Sequence, residues 1–191
     1  MTDWTIVLWN DASQILEQAG VKRNLQPSET IAPQTFFEKL RSDGNLADAA
    51  IFIANSLPRL EAMAWITKAL PHAKEDHPYY RERRLLRDMA QRWVDDPDDA
   101  NRRAVYELAE NSDPEWPETL LGHAIFFSGG SIAPPDLEAV TIDPKVAATL
   151  ASAALQSAAT QDKESYDQIM EHALNLGHAV ATNGRQALAQ K

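Results

Sequence analysis

A chain of 191 residues, 44% hydrophobic and without a single cysteine, has length for one domain with its own core and excludes thiolate nucleophiles, disulfides and cysteine-ligated zinc. Twenty-eight acidic residues against 18 basic ones leave a formal net charge of -10, which repels a phosphate backbone and argues against nucleic acid as a partner. Lack of cysteine fits a reducing compartment, so the expected location is the cytoplasm.

Residues Met1 to Trp4 carry no basic n-region, and the apolar run Ile6-Val7-Leu8-Trp9 is too short for a signal peptide. The same run has the composition of a strand, but no partner strand is evident, so it is expected to dock as an extended arm. Asp11-Ala12-Ser13-Gln14 spells a capping box and Gly20 a stop, predicting a short helix over 11–19. Residues 1–32 thus read as an arm and a short helix, and residues 33–184 as the helical domain.

Pro33 at a first-turn position, Phe36, Phe37 and Leu40 at helical spacing and Gly44 as a left-handed stop predict a helix over 33–42. The apolar series Leu46, Ala49, Ala50, Ile53, Leu57 predicts the next helix. Pro58 then opens another that carries Met63, Ile66 and Leu70 as far as Pro71, and the two are expected to form a tight helical hairpin. A polar connection over 71–78 leads to an arginine-rich helix over 79–94, expected to turn Tyr80, Leu85, Met89 and Trp93 inward and its arginines to solvent.

Asp96-Pro97, Asp113-Pro114 and Asp143-Pro144 each set an aspartate cap before a proline at the first helical position, predicting helices over 97–110, 114–127 and 144–161. The run Asp95-Asp96-Pro97-Asp98-Asp99 lacks the central glycine and terminal glutamate of a calcium loop and reads as capping. A last helix over 163–182 ends at Gly184, and 185–191 are expected to fray. Ala147, Ala148, Ala151, Ala154 and Ala158 form a smooth face, so the last two helices are expected to pack as an antiparallel pair. The fold class is all-α, an irregular bundle of about eight or nine helices, with superhelical stacking of helix pairs as the open alternative. The longest apolar segment, Val146 to Ala159, is interrupted by Thr149, Ser152, Gln156 and Ser157, so no membrane insertion is expected.

No catalytic, cofactor or metal motif stands out. His172 and His178, six apart on a helix, point to different faces, and His72 and His77 lack an H-E-x-x-H frame. His123 lies upstream of the corner Phe127-Ser128-Gly129-Gly130-Ser131-Ile132-Ala133-Pro134-Pro135, near the hydroxyls of Ser128 and Ser131. Those serines follow a helix rather than standing at a G-x-S-x-G elbow, and His123 reads as a buried, hydrogen-bonded residue. The Ser128–Ser131 loop also follows a helix C-terminus, whose dipole has the wrong sign for phosphate. Trp65, Trp93 and Trp116 read as core anchors.

Several separated segments nonetheless agree with one family. Phe36 to Leu40, Leu46-Ala47-Asp48-Ala49-Ala50, Leu57-Pro58-Arg59, Glu61-Ala62, Trp65, Trp93-Val94, Pro97, Asn101-Arg102-Arg103-Ala104 and the Phe127–Pro135 corner together resemble an uncharacterised all-helical proteobacterial family over about residues 33–184. Its signature is Trp/Phe-Ser-Gly-Gly-Ser-x-Ala-Pro-Pro. Phe127 stands where tryptophan is expected in relatives, and the first 30 residues match nothing recognisable.

Members of that family are often encoded beside type VI secretion genes. The resemblance therefore implies a non-enzymatic adaptor, chaperone or accessory protein, with a secretion spike or effector component as partner. An immunity protein that blocks a basic toxin with its acidic surface is one alternative, and a hydrolase using His123 is another. For the interaction reading, the candidate contact residues are Phe127, Ser128, Gly129, Gly130, Ser131, Pro134, Pro135 and Asp136, because exposed rigid loops are common recognition elements.

Overall fold

A computed structural model describes residues 3–161 and 164–189. Nine α-helices occur among them: α1 (Ala12–Gln18), α2 (Pro33–Ser42), α3 (Leu46–Ser56), α4 (Arg59–Ala69), α5 (Tyr80–Asp95), α6 (Asp99–Glu110), α7 (Pro117–Phe127), α8 (Lys145–Thr160) and α9 (Tyr166–Asn183). The described residues contain no strand, and the architecture is an all-α bundle. No described helix is long and apolar enough to cross a membrane.

Local signals act where their chemistry requires. At α1 the Asp11 carboxylate accepts from the Ser13 amide while the Gln14 side chain accepts from the Asp11 amide, closing the predicted capping box. Of the three Asp-Pro starts, Asp143 stands at the start of α8 and accepts from the Lys145 amide, and the other two are shifted. α6 begins at Asp99, with Asp98 rather than Asp96 accepting from the Asn101 amide at 2.6 Å, and α7 begins at Pro117 after an Asp113 turn. In each case a later residue offers the first helical turn a better end: a second aspartate at α6, a second proline at α7. The predicted start of the last helix at 163 lies outside the described residues; α9 begins at Tyr166.

α3, α4 and α7 are apolar around most of their circumference and form the interior, as such helices must. α3 and α4 do not form the expected hairpin. They diverge after Leu57 and Pro58, each packing on α8 and α9 more than on the other. Trp65 on α4 is fully buried, and its indole N–H donates to the Ala173 carbonyl of α9 at 2.7 Å. Gly177 allows that approach, since a Cβ there would stand 3.0 Å from Ile53 Cγ1 and 3.1 Å from Trp65 Nε1.

α8, with its buried alanines, packs mainly on α7, next on α3 and less on α9, so the expected pairing of the last two helices is present but is not the principal contact. Gly122 serves the other side of α7, where an added Cβ would meet Ala109 Cβ of α6 at 2.8 Å. α7 is therefore gripped closely from two sides by small residues.

α5 keeps Trp93 inward and Met89 and Tyr80 half-buried as expected, but Leu85 and Arg83 exchange places with respect to the core. Arg83, Leu86, Ala90, Trp93 and Val94 are buried, whereas Leu85 is 50% exposed. The buried Arg83 has a partner there: its Nε and Nη2 donate to both carboxylate oxygens of buried Glu118 on α7, at 2.9 and 3.1 Å. A bidentate pair compensates the burial of both charges, and Glu118 also sits in the first turn of α7, where the helix dipole favours an anion.

The arm docks as anticipated, without a strand. The amides of Thr5 and Ile6 both donate to the Ala181 carbonyl of α9, the Thr5 hydroxyl donates to the Thr182 carbonyl, and the Trp4 indole donates to His178 Nδ1 at 3.1 Å. Residues 184–189, partly expected to fray, form a 3-10 turn that sets Ala187 and Leu188 against the core. Residues 190 and 191 lie outside the described residues.

Because Glu118 is the only carboxylate hydrogen-bonded to buried Arg83 among the described residues, Glu118→Ala leaves an uncompensated charge inside the protein. Urea unfolding is expected to show a loss of about 3–5 kcal/mol, and the double replacement Arg83→Met/Glu118→Leu recovers much of it.

Candidate functional site

The corner after α7 is a helix end that must be satisfied from outside the helix. The last carbonyls of an α-helix have no intrahelical donor, and Phe126 and Ser128 are buried. Three arginines supply the donors. Arg102 Nη1 donates to the Phe126 carbonyl at 2.6 Å and Nη2 to the Ser131 carbonyl at 2.7 Å; Arg59 Nη1 donates to the Ser128 carbonyl at 2.9 Å. Arg103 Nη2 reaches the Ser131 and Ala133 carbonyls at 3.0 and 2.8 Å.

Asp99 holds this brace together, accepting from Arg102 with one oxygen and from Arg103 with the other. Their spacing at i, i+3 and i+4 on α6 makes the contact local. The hydrogen bond from Arg103 first, then that from Arg102, hold the Asp99 carboxyl below the usual carboxylate range. The Arg102 guanidinium also lies 4.6 Å from the centre of the Phe126 ring, a cation–π contact that shields it from water.

Glycine is required at one point of the corner. Gly130 has φ +72°, and its missing Cβ would stand 3.0 Å from Arg102 Nη2. Gly129 has no such backbone demand, but a Cβ there would stand 2.9 Å from Arg59 Nη1 and push aside a flexible side chain of the brace.

Downstream, the Ser131 hydroxyl accepts from the amides of Ala133 and Val140 at 3.1 Å each, and the Ile132 amide donates to the Val140 carbonyl at 2.8 Å. These bonds tie residues 131 and 140 together at the base of a surface loop. Its tip exposes Pro134, Pro135, Asp136 and Leu137, the last 62% exposed, with Val140 at 49% beside the base.

The eight sequence candidates therefore separate into two groups. Ser128 is buried, with its hydroxyl donating to the Ile125 carbonyl; Phe127 and Gly129 are half-buried; and Gly130 and Ser131 shape the backbone. Pro134, Pro135 and Asp136 are at the surface. Sequence reasoning did not assign Leu137 and Val140, which carry the exposed apolar area, since a short irregular loop has no periodicity to mark them.

Depressions lie on either side of the brace. A cleft of about 390 Å³ is bounded by Arg59, Leu60, Trp93, Pro97, Arg102 and Gly129, and a shallower, mostly apolar groove of about 340 Å³ by Tyr106, Phe126, Ile132 and Pro134 with Glu107 and Glu110 on its rim.

His123 is not joined to the corner serines. Its ring packs against Tyr106 at 5.7 Å, and Nε2 lies 3.0 Å from Glu110 Oε1 without the alignment of a hydrogen bond. Both serine hydroxyls are committed to the backbone instead. Among the described residues no three His, Asp or Glu side chains converge as metal ligands.

Gly130→Ala is expected to destabilise by about 1–2 kcal/mol in denaturant titration, and Gly129→Ala by less, because only the former forces a side chain into left-handed backbone. Asp99 gives a pH test. A carboxyl whose pKa is depressed on folding contributes stability that is present above the ordinary carboxylate range and lost as pH falls through the folded pKa. Asp99→Asn is therefore expected to lower the melting temperature at neutral pH and to converge with wild type in acid.

No curated protein and no solved structure matches the chain. A family profile does match, over residues 36–181, and it takes in the brace, the corner and the loop. The chain belongs to DUF6931, a family of unknown function.

Proposed function

We propose that this protein is a non-enzymatic interaction protein, an adaptor, chaperone or accessory factor of bacterial type VI secretion, and that it engages its partner through the Ser131–Val140 loop. The observation that carries the reading is the contrast within the corner. Its polar groups are consumed in holding the backbone, and what it delivers to the surface is a tied loop with Leu137 and Val140 exposed. A pinned loop presenting apolar side chains loses little conformational freedom on binding, which favours recognition.

The apolar groove along Tyr106, Phe126 and Ile132 lies beside the loop's proline end and adds a shallow seat for a partner side chain. The link to type VI secretion rests on the sequence resemblance. A hydrolase centred on His123 has less support, because that ring meets Tyr106 and Glu110 while Ser128 and Ser131 bond to backbone.

The test is affinity capture from native extract, comparing wild type with Leu137→Asp/Val140→Asp, two substitutions on exposed side chains that leave the packing intact. Recovery of a secretion spike or effector component with wild type, reduced at least about ten-fold by the double variant, is the expected result. Equal recovery with both proteins sinks the loop as the contact site; recovery of no secretion component sinks the association with type VI secretion.

A further inference from the structure

The polar connection before α5 and the opening turns of that helix border a second cleft, of about 320 Å³, that shares no residue with the corner. His72, Tyr80, Arg83, Arg84, Arg87 and Asp88 line it, with Glu118 in its wall. Three guanidinium groups against two carboxylates make its formal balance +1 on a chain whose total is -10.

The three arginines differ in how their charge is met. Arg83 is fully engaged by Glu118. Arg84 lies 3.7 Å from Asp88 in a loose pair, both side chains well exposed. Arg87 is half-buried and meets only neutral acceptors, with Nη2 donating to the Thr67 carbonyl at 3.0 Å and Nη1 reaching the Pro71 carbonyl at 3.4 Å.

No carboxylate pairs with Arg87 among the described residues, and burial holds its pKa below the ordinary arginine value despite Glu118 and Asp88 nearby. The same field reaches His72, whose pKa is held down by burial first and the Arg87 charge second. Neither the His72 ring nor the Tyr80 hydroxyl has a protein hydrogen-bond partner among the described residues.

A partly desolvated guanidinium with no carboxylate in hydrogen-bond contact, walled by further donors, has unused donor capacity facing the cleft. Its planar fork matches the two oxygens of a carboxylate or phosphate, and the reduced local dielectric strengthens such a bond. We propose that this cleft binds a small oxyanion, the phosphate or carboxylate group of a metabolite-sized ligand, held by Arg87 with Arg84, His72 and Tyr80 as further donors. Asp88 opposes the ligand and sets an upper limit on its affinity.

The proposal is tested on the full chain by NMR titration with inorganic phosphate and, separately, with acetate, at ionic strength held constant with sodium chloride. Saturable shifts of the Arg87 Nε–H and of backbone amides over 72–88 are expected with at least one probe, and the effective probe distinguishes a phosphate site from a carboxylate site. Arg84→Glu, on an exposed side chain, should weaken binding about ten-fold, the scale of one charge-assisted hydrogen bond. Asp88→Asn should tighten it roughly a few-fold, a gain that loss of folding cannot produce. Arg92→Glu, on the same helix but outside the cleft, should change it little. The proposal fails if neither probe saturates at these positions, or if Arg84→Glu and Asp88→Asn leave affinity unchanged.

Discussion

A helix that ends inside a protein leaves carbonyl groups that only another part of the chain can satisfy, and the end of α7 places that demand on this fold. α7 is packed against α4, α5, α6 and α8, so its position organises much of the bundle, and the carbonyls of Phe126, Ser128, Ser131 and Ala133 meet arginines from two different helices. Leaving such groups unpaired would cost about 1–3 kcal/mol each. The brace therefore couples α4, α6 and α7 at one point, and the corner that follows inherits its shape from that coupling.

The same economy governs charge. Arg59, Arg83, Arg87, Arg102 and Arg103 all direct donors at backbone carbonyls or at a buried carboxylate, so much of the chain's positive charge works inside or along the packed faces. On the arginine-rich α5, Arg83 and Arg87 turn inward in this way while Arg81, Arg84 and Arg92 stay exposed. At the second cleft Arg87 is likewise hydrogen-bonded to backbone carbonyls alone.

Much of the architecture was legible from local signals, because caps, proline starts and glycine stops act over three or four residues. The Asp11–Gln14 box and the α2 start at Pro33 needed no tertiary information. What escaped depended on distant partners. Leu85 looked like a core residue and Arg83 a solvent-facing one until Glu118 supplied Arg83 with a buried partner, and the smooth face of α8 named no particular neighbour, so its preference for α7 over α9 was invisible. At the corner, Phe127-Ser128-Gly129-Gly130-Ser131 advertised a turn, yet nothing adjacent in sequence disclosed that Arg59 and Arg102, 69 and 24 positions away from the carbonyls they bind, were its other half.

The closure of the Ser131–Val140 loop has an evolutionary consequence. Its base is fixed by the Ser131 hydroxyl, the Ile132–Val140 bond and the Arg103 guanidinium on the Ala133 carbonyl, so the strain of changes beyond Pro135 is not passed to the bundle through these ties. Loop entropy grows only logarithmically, at about 0.6 kcal/mol for each doubling of length. Residues beyond Pro135 can therefore be added, removed or replaced at little cost to the bundle, so that one scaffold can carry tips of different length and chemistry.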